Sequence, residues 1–177
     1  MLSEVMEKRI IPVIVILIAF VSCRSDRAEN KVPAKPGKQE MAELNRYLVQ
    51  KDREVIENYI ERKKLVMTES PTGLWYFIKH EGSGEYLGDY DRIVMNYECA
   101  LLDGTICYSS ADVGPKEIIL GKTELESGLN EGLRLLKPGA EAIFILPPFL
   151  AYGLVGDGKK IPPRATIVYS ISIAEEK

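Results

Sequence analysis

The sequence predicts an α+β fold: a mostly antiparallel, twisted β-sheet wrapped on one short helix, preceded by a further helix. Three observations carry this. Between Arg92 and Leu102, Ile93, Met95, Tyr97, Cys99 and Leu101 recur at every second position, which puts them on one face of a strand. Between Leu125 and Leu136, four leucines (Leu125, Leu129, Leu133, Leu136) recur at helical spacing. Two proline pairs, Pro147-Pro148 and Pro162-Pro163, bracket a loop rich in glycine and lysine. Proline cannot donate to a sheet ladder, so each pair marks where a strand stops or starts. The apolar strand Ala142–Leu146 leads in and the β-branched strand Thr166–Ile173 leads out. One short helix against a mostly antiparallel sheet is an α+β arrangement.

The amino terminus has the order of a secretory signal. Lys8-Arg9 is a short basic start, Ile10 to Val21 is apolar with one proline, and Ser22-Cys23 is followed by the polar Arg24-Ser25-Asp26. The apolar run is too short to span about 30 Å of hydrocarbon comfortably. Phe20-Val21-Ser22-Cys23 resembles a bacterial lipoprotein signal, which implies cleavage after residue 22 and a diacylglycerol on the Cys23 thiol. The competing reading is an uncleaved anchor with a chance cysteine. Met6 stands directly before the basic start and is a second candidate initiator.

Residues 23–39 contain Lys, Pro, Gly and Asn and almost no large apolar side chain, the composition of a flexible tether. Residues 40–66 follow as an amphipathic helical segment. From Glu40 to Lys64, Met41, Leu44, Leu48, Val55 and Tyr59 form an apolar stripe flanked by Ile56 and Ile60, and the opposite face is charged. Such a helix either packs on its own domain or spaces it from the membrane. The alternative is a helix that binds a partner or a second copy of the chain, through residues 40–64.

Ser70-Pro71-Thr72-Gly73 breaks the helical pattern, and residues 72–177 hold the rest of the fold. Leu74–Lys79 reads as the first strand. The long strand Arg92–Leu102 turns at Asp103-Gly104, read as a two-residue hairpin, into Thr105–Ser110. Glu117–Leu120 is a short strand. Lys137-Pro138-Gly139 ends the leucine helix, with proline and glycine just past its last turn. With a two-residue turn and no bulge, Cys99 lies opposite Tyr108 and Cys107 opposite Ala100. The two thiols then point to opposite faces, cannot pair, and act as half-buried free cysteines.

Composition excludes several functions. The 177 residues carry a formal net charge of −3 and 46% hydrophobic residues, enough for a packed core. No basic stripe with interleaved aromatics is visible, so nucleic acid is not expected as a partner. The single histidine, His80, is not near a Cys or carboxylate pair at ligand spacing, so no metal site and no cofactor is expected.

The carboxy-terminal pattern is more specific. Pro148-Phe149-Leu150-Ala151-Tyr152-Gly153 with Ile161-Pro162-Pro163-Arg164-Ala165-Thr166 resembles the signature of the FK506-binding family of peptidyl-prolyl isomerases. Asn96-Tyr97, Asp103-Gly104, Ser109-Ser110, Leu120-Gly121, Gly128-Leu129-Asn130-Glu131-Gly132-Leu133 and Lys137-Pro138-Gly139 appear in the family's order. The resemblance runs from about Thr72 to Ile173, so residues 72–177 are expected to form an isomerase domain of this type. Its helix and anchor also make the chain similar to gliding-motility-associated isomerase lipoproteins.

The resemblance implies an enzyme that needs no acid, base or nucleophile. Rotation about an X-Pro bond is slow because of partial double-bond character, with a barrier of roughly 18–20 kcal/mol. An apolar pocket that binds the twisted imide more tightly than the planar one lowers it. By resemblance the catalytic tyrosines are Tyr97, Tyr152 and Tyr169, and substrate contacts come from Cys107, Tyr108, Leu125, Glu126, Leu129 and Ile161. In the family the Tyr152 hydroxyl and the backbone N–H at the Glu126 position each donate to a substrate carbonyl.

The chain departs from the family's pattern at the site itself. Cys107-Tyr108 replaces the usual Phe-Asp, so one aromatic wall and one acceptor are missing. Leu129 stands where Trp is common, Glu126 where an aliphatic residue is usual, and Lys116 where an aromatic is usual. These changes predict a wider, wetter pocket with a more polar rim, weakened isomerase activity and poor affinity for the family's macrolides. Two functions follow. One is a lipid-anchored prolyl isomerase in the cell envelope, acting on proline-containing segments of envelope proteins. The other is a catalytically degenerate peptide-binding or chaperone module, or an accessory of a surface machine.

Overall fold

A computed structural model describes residues 37–175. The signal segment (1–22), Cys23 and most of the tether lie outside the described residues. Helix α1 spans Lys38–Lys63. Glu40 in its first turn and Arg62 and Lys63 in its last complement the helix dipole. Seven strands follow: β1 (Thr68–Glu69), β2 (Trp75–His80), β3 (Arg92–Leu101), β4 (Ile106–Ser109), β5 (Lys116–Ile119), β6 (Glu141–Leu146) and β7 (Ile167–Ile173). Helix α2 (Ser110–Val113) lies between β4 and β5, and α3 (Ser127–Leu133) between β5 and β6.

All strands join one antiparallel sheet in the order β1-β2-β6-β7-β3-β4, with β5 also paired to β3. β3 is long because one edge serves β7 at Met95–Leu101 while the other serves β5 at Arg92–Met95 and β4 at Glu98–Ala100. The expected alternation in β3 is present: Ile93, Met95 and Cys99 are buried, and Val94, Asn96 and Glu98 are exposed. β7 repeats it, with Ile167, Tyr169, Ile171 and Ile173 buried.

Helix α3 packs against β6 and fills the core with Leu129 and Leu133. Its approach is close because two faces are bare. A Cβ on Gly132 would lie 2.5 Å from the Phe144 ring, and one on Gly128 would lie 2.7 Å from Leu146. The Thr72 hydroxyl donates to the Glu131 carboxylate, at 2.6 Å to Oε2, and ties the start of β2 to this helix.

Helix α1 packs on the domain through its second half. Ile56 is 1% exposed, Asp52 pairs with Arg164 at 2.6 Å, and Arg53 pairs with Glu69 at 2.6 Å. A cleft of about 200 Å³ remains beside it, lined by Ile56, Trp75 and Phe149 among others. Its first half presents Met41, Leu44 and Tyr47 to solvent.

Four expectations are corrected. The hairpin after β3 is not a two-residue turn: Leu101 N–H donates to Thr105 O at 2.9 Å, so Leu102, Asp103 and Gly104 form the loop. Gly104 takes φ 94°, which a glycine adopts without steric cost. Cys99 does face Tyr108, but Ala100 faces Ile106, so Cys107 is the extra residue of a bulge. Both thiols therefore enter the same core, fully buried and free, rather than opposite faces. The leucine helix is shorter than Leu125–Leu136, because Leu135 and Leu136 close with i→i−3 bonds to Gly132 and Leu133. The Thr105–Ser110 strand ends at Ser109, whose hydroxyl caps α2 by accepting the Ala111 N–H at 3.1 Å.

Candidate functional site

Antiparallel pairing of β3 with β7 sets Cys99 opposite Tyr169 and Tyr97 opposite Ile171. Directly paired residues share a face, so Tyr97 and Tyr169 both point to the α3 side. Their ring centroids are 6.2 Å apart at a tilt of 54°, a favourable aromatic geometry. Tyr169 is 4% exposed and Tyr97 half-buried. Cys99 lies between them along the sheet, and burial pushes its thiol up to about 12, so it is not a nucleophile at neutral pH.

Tyr152 arrives from the opposite side of the cluster. β6 ends at Leu146, and Pro148–Leu150 form one 3₁₀ turn. Gly153 N–H donates to Pro148 O at 2.8 Å, and Arg164 N–H donates to Gly153 O at 3.0 Å. These bonds fix both ends of the loop and hold Tyr152 half-buried against the core.

Glu126 joins the two halves. It is the N-cap residue of α3, with its carbonyl accepting the Asn130 N–H at 2.9 Å, but its side chain makes no capping bond. The carboxylate turns instead toward the tyrosines. Oε1 accepts the Tyr152 hydroxyl in a short bond and the Tyr169 hydroxyl at 3.2 Å. Burial first, then the hydrogen bond and charge of Glu126, hold the Tyr152 phenol well above its ordinary range. Burial, then the Glu126 charge, does the same for Tyr169. Glu126 was expected to add polarity at the rim; its carboxylate instead lies inside, with Oε2 buried.

Leu129 and Ile161 are buried in the same core cluster, and Leu125 packs half-buried against it. Cys107 and Tyr108 serve the proline loop. Cys107 Sγ lies 3.6 Å from Lys160 O, and the Tyr108 hydroxyl donates to Asp157 in a short bond. Lys160 Nζ sits 5.3 Å from the Tyr108 ring centroid. Asp157 Oδ1 also accepts the N–H groups of Lys159 and Ile161, each at 2.8 Å. Against the burial that raises it, these bonds hold the Asp157 carboxyl below its usual range. An acid thus stands opposite position 108 after all, supplied by the loop. Asp157 was not singled out in the sequence; an Asp-Gly pair inside the bracketed loop was its only signal. Ser110, whose hydroxyl accepts the Tyr97 N–H at 3.0 Å, was likewise missed as a support of the site.

The arrangement is a ring of phenols and aliphatic side chains with one carboxylate. Among the described residues no group of three or more His, Cys, Asp or Glu could hold a metal ion.

A sheet wrapped on one short helix, with aromatic side chains at the helix start, is the architecture of the FKBP-type peptidyl-prolyl cis-trans isomerases. Residues 84–174, about half of the chain, match that family, and the chain belongs to it. It is 39% identical over 105 residues to the probable isomerase FkpA of Neisseria meningitidis, covering 59% of this chain and 38% of that protein. It is 34% identical over 116 residues to FkpA of Escherichia coli, covering 66% of this chain and 42% of that protein. The chain thus spans less than half the length of these relatives. The crystal structure of Escherichia coli FkpA superposes with a TM-score of 0.61 at 29% identity, over 80% of this chain and 73% of that one.

Proposed function

We propose that the chain is a peptidyl-prolyl cis-trans isomerase acting on proline-containing segments of envelope proteins, with Tyr97, Tyr152 and Tyr169 as its catalytic ring. Leu125, Glu126, Leu129 and Ile161 shape the substrate pocket, and Cys107 and Tyr108 support its loop wall. The observation that carries this reading is the convergence of Tyr152 and Tyr169 on Glu126 at the start of α3, with the Tyr97 ring beside Tyr169. Activity is weakened, for a physical reason. The hydroxyl that would meet a substrate carbonyl is already given to Glu126, and exchanging a hydrogen bond to a charged group costs on the order of 1.5–3 kcal/mol. That corresponds to roughly 10- to 100-fold in rate or affinity. The same plug opposes the family's macrolides.

Residues 1–22 act as a lipoprotein signal and Cys23 carries the lipid, placing the domain at an envelope membrane; the support is the order of basic, apolar and small residues. The exposed Met41, Leu44 and Tyr47 on α1 support docking of a second copy or another partner there.

The test is acceleration of Xaa-Pro isomerisation by the purified chain in detergent, with Tyr152→Phe alongside. Acceleration that falls in the variant supports the enzyme. A folded chain with no acceleration favours the second reading, a peptide-binding module, which the Tyr152–Glu126 bond makes specific.

A further inference from the structure

Glu126 Oε2 is the one buried side-chain nitrogen or oxygen without a hydrogen-bond partner among the described residues. Its sister oxygen takes two hydroxyl donors. A carboxylate with one oxygen buried and unpaired is unfavourable. The Tyr152 and Tyr169 hydroxyls meet the same carboxylate at Oε1, and the Tyr97 ring stands beside Tyr169. A carboxylate in a partly buried site favours an ammonium or guanidinium group over an aliphatic one. Two cations of the adjoining loop are engaged elsewhere: Lys160 lies over Tyr108 and Arg164 pairs with Asp52.

We infer that Glu126 makes this a cation-selecting pocket, whose preferred peptide carries a lysine or arginine side chain next to the proline and pairs it with the Glu126 carboxylate. The inference rests on the reading of this pocket as the peptide site, and it names the substrate class. It also accounts for how Tyr152 is released. When Tyr152 turns its hydroxyl to a substrate carbonyl, Glu126 loses a donor, and the cation of the peptide replaces it. An aliphatic neighbour leaves both carboxylate oxygens short of donors. An acidic neighbour adds repulsion.

The experiment uses the full chain in neutral detergent at low ionic strength. Three fluorescent peptides differ only in the residue before proline: Lys, Leu or Glu. Their binding is measured by anisotropy and their isomerisation rates are measured in parallel, for the wild type, Glu126→Gln and Glu126→Ile. The wild type is expected to bind the Lys peptide about tenfold more tightly than the Leu peptide, the size of one charge-assisted hydrogen bond, and to bind the Glu peptide most weakly. The preference should collapse in both variants, and Glu126→Ile should gain on the Leu peptide. Equal affinity for the Lys and Leu peptides in the wild type overturns the inference. So does a Lys preference that survives in both variants, which would place the selecting charge elsewhere. Glu126→Gln keeps the shape of the side chain, and its thermal unfolding shows whether a lost preference is a folding defect. Binding and turnover separate the two claims. Charge preference without turnover removes the isomerase reading and leaves the inference standing; turnover without charge preference does the reverse.

Discussion

Tyr152 donates its hydroxyl to the carboxylate of Glu126, across the space between the proline loop and the start of α3. The two residues are 26 positions apart, and the bond exists because both loop ends are closed, by Gly153 to Pro148 and by Arg164 to Gly153. The consequence is a Tyr152 hydroxyl whose donor is satisfied within the chain.

The seat of α3 should be intolerant of a single methyl group. Gly132→Ala would place a Cβ 2.5 Å from Phe144, whose ring is fully buried. Overpacking of this kind costs typically 1–3 kcal/mol, or a fall in Tm of roughly 3–10 °C. Thermal unfolding by circular dichroism checks this. An unchanged Tm would mean that the helix can slide on β6.

Attachment of α1 should depend on its buried isoleucine more than on its ion pairs. Ile56→Ala removes a side chain that is 1% exposed and is expected to cost about 2–4 kcal/mol. Asp52→Ala breaks a partly exposed pair with Arg164 and should cost about 1 kcal/mol or less. Denaturant unfolding of both variants decides the order. Isomerisation should be nearly unaffected in each, since neither residue touches the tyrosine cluster.

The proline loop should loosen in acid. The carboxyl of Asp157 is held below its ordinary range, so its contribution is fully present above the unfolded value of about 3.9 and is lost as pH falls through the lower folded value. Lys159 and Ile161 donate their N–H groups to it, so their amide NMR shifts should titrate with a midpoint below about 3.9. Asp157→Asn should abolish that titration. A midpoint above the ordinary aspartate value would show that burial outweighs the hydrogen bonds.

Much of the scaffold was legible because it follows from local pattern. The alternation in β3 and the proline pairs around the loop depend on residues close in sequence, and the structure has them where the pattern puts them. The bulge at Cys107 was not legible. It follows from a three-residue loop, which adds one residue to β4 and turns both cysteines inward. The early end of α3 reflects a tightening at Leu135 and Leu136 that leucine spacing cannot distinguish from another helical turn. At the site, the position of Glu126 was legible but the direction of its side chain was not. That direction depends on hydroxyls brought in by Tyr152 and Tyr169, from elements 26 and 43 residues away. Tyr108 illustrates the same limit: its partner Asp157 is 49 residues distant and meets it only because the loop folds back.

The most direct test is a double-mutant cycle on isomerisation of a Leu-Pro peptide, using the wild type, Tyr152→Phe, Glu126→Ile and the combined variant. If Glu126 holds Tyr152 out of use, Glu126→Ile should raise the rate roughly tenfold, and the combined variant should be as slow as Tyr152→Phe alone. A Glu126→Ile variant no faster than the wild type, or one whose gain persists when Tyr152 is also replaced, would contradict the account.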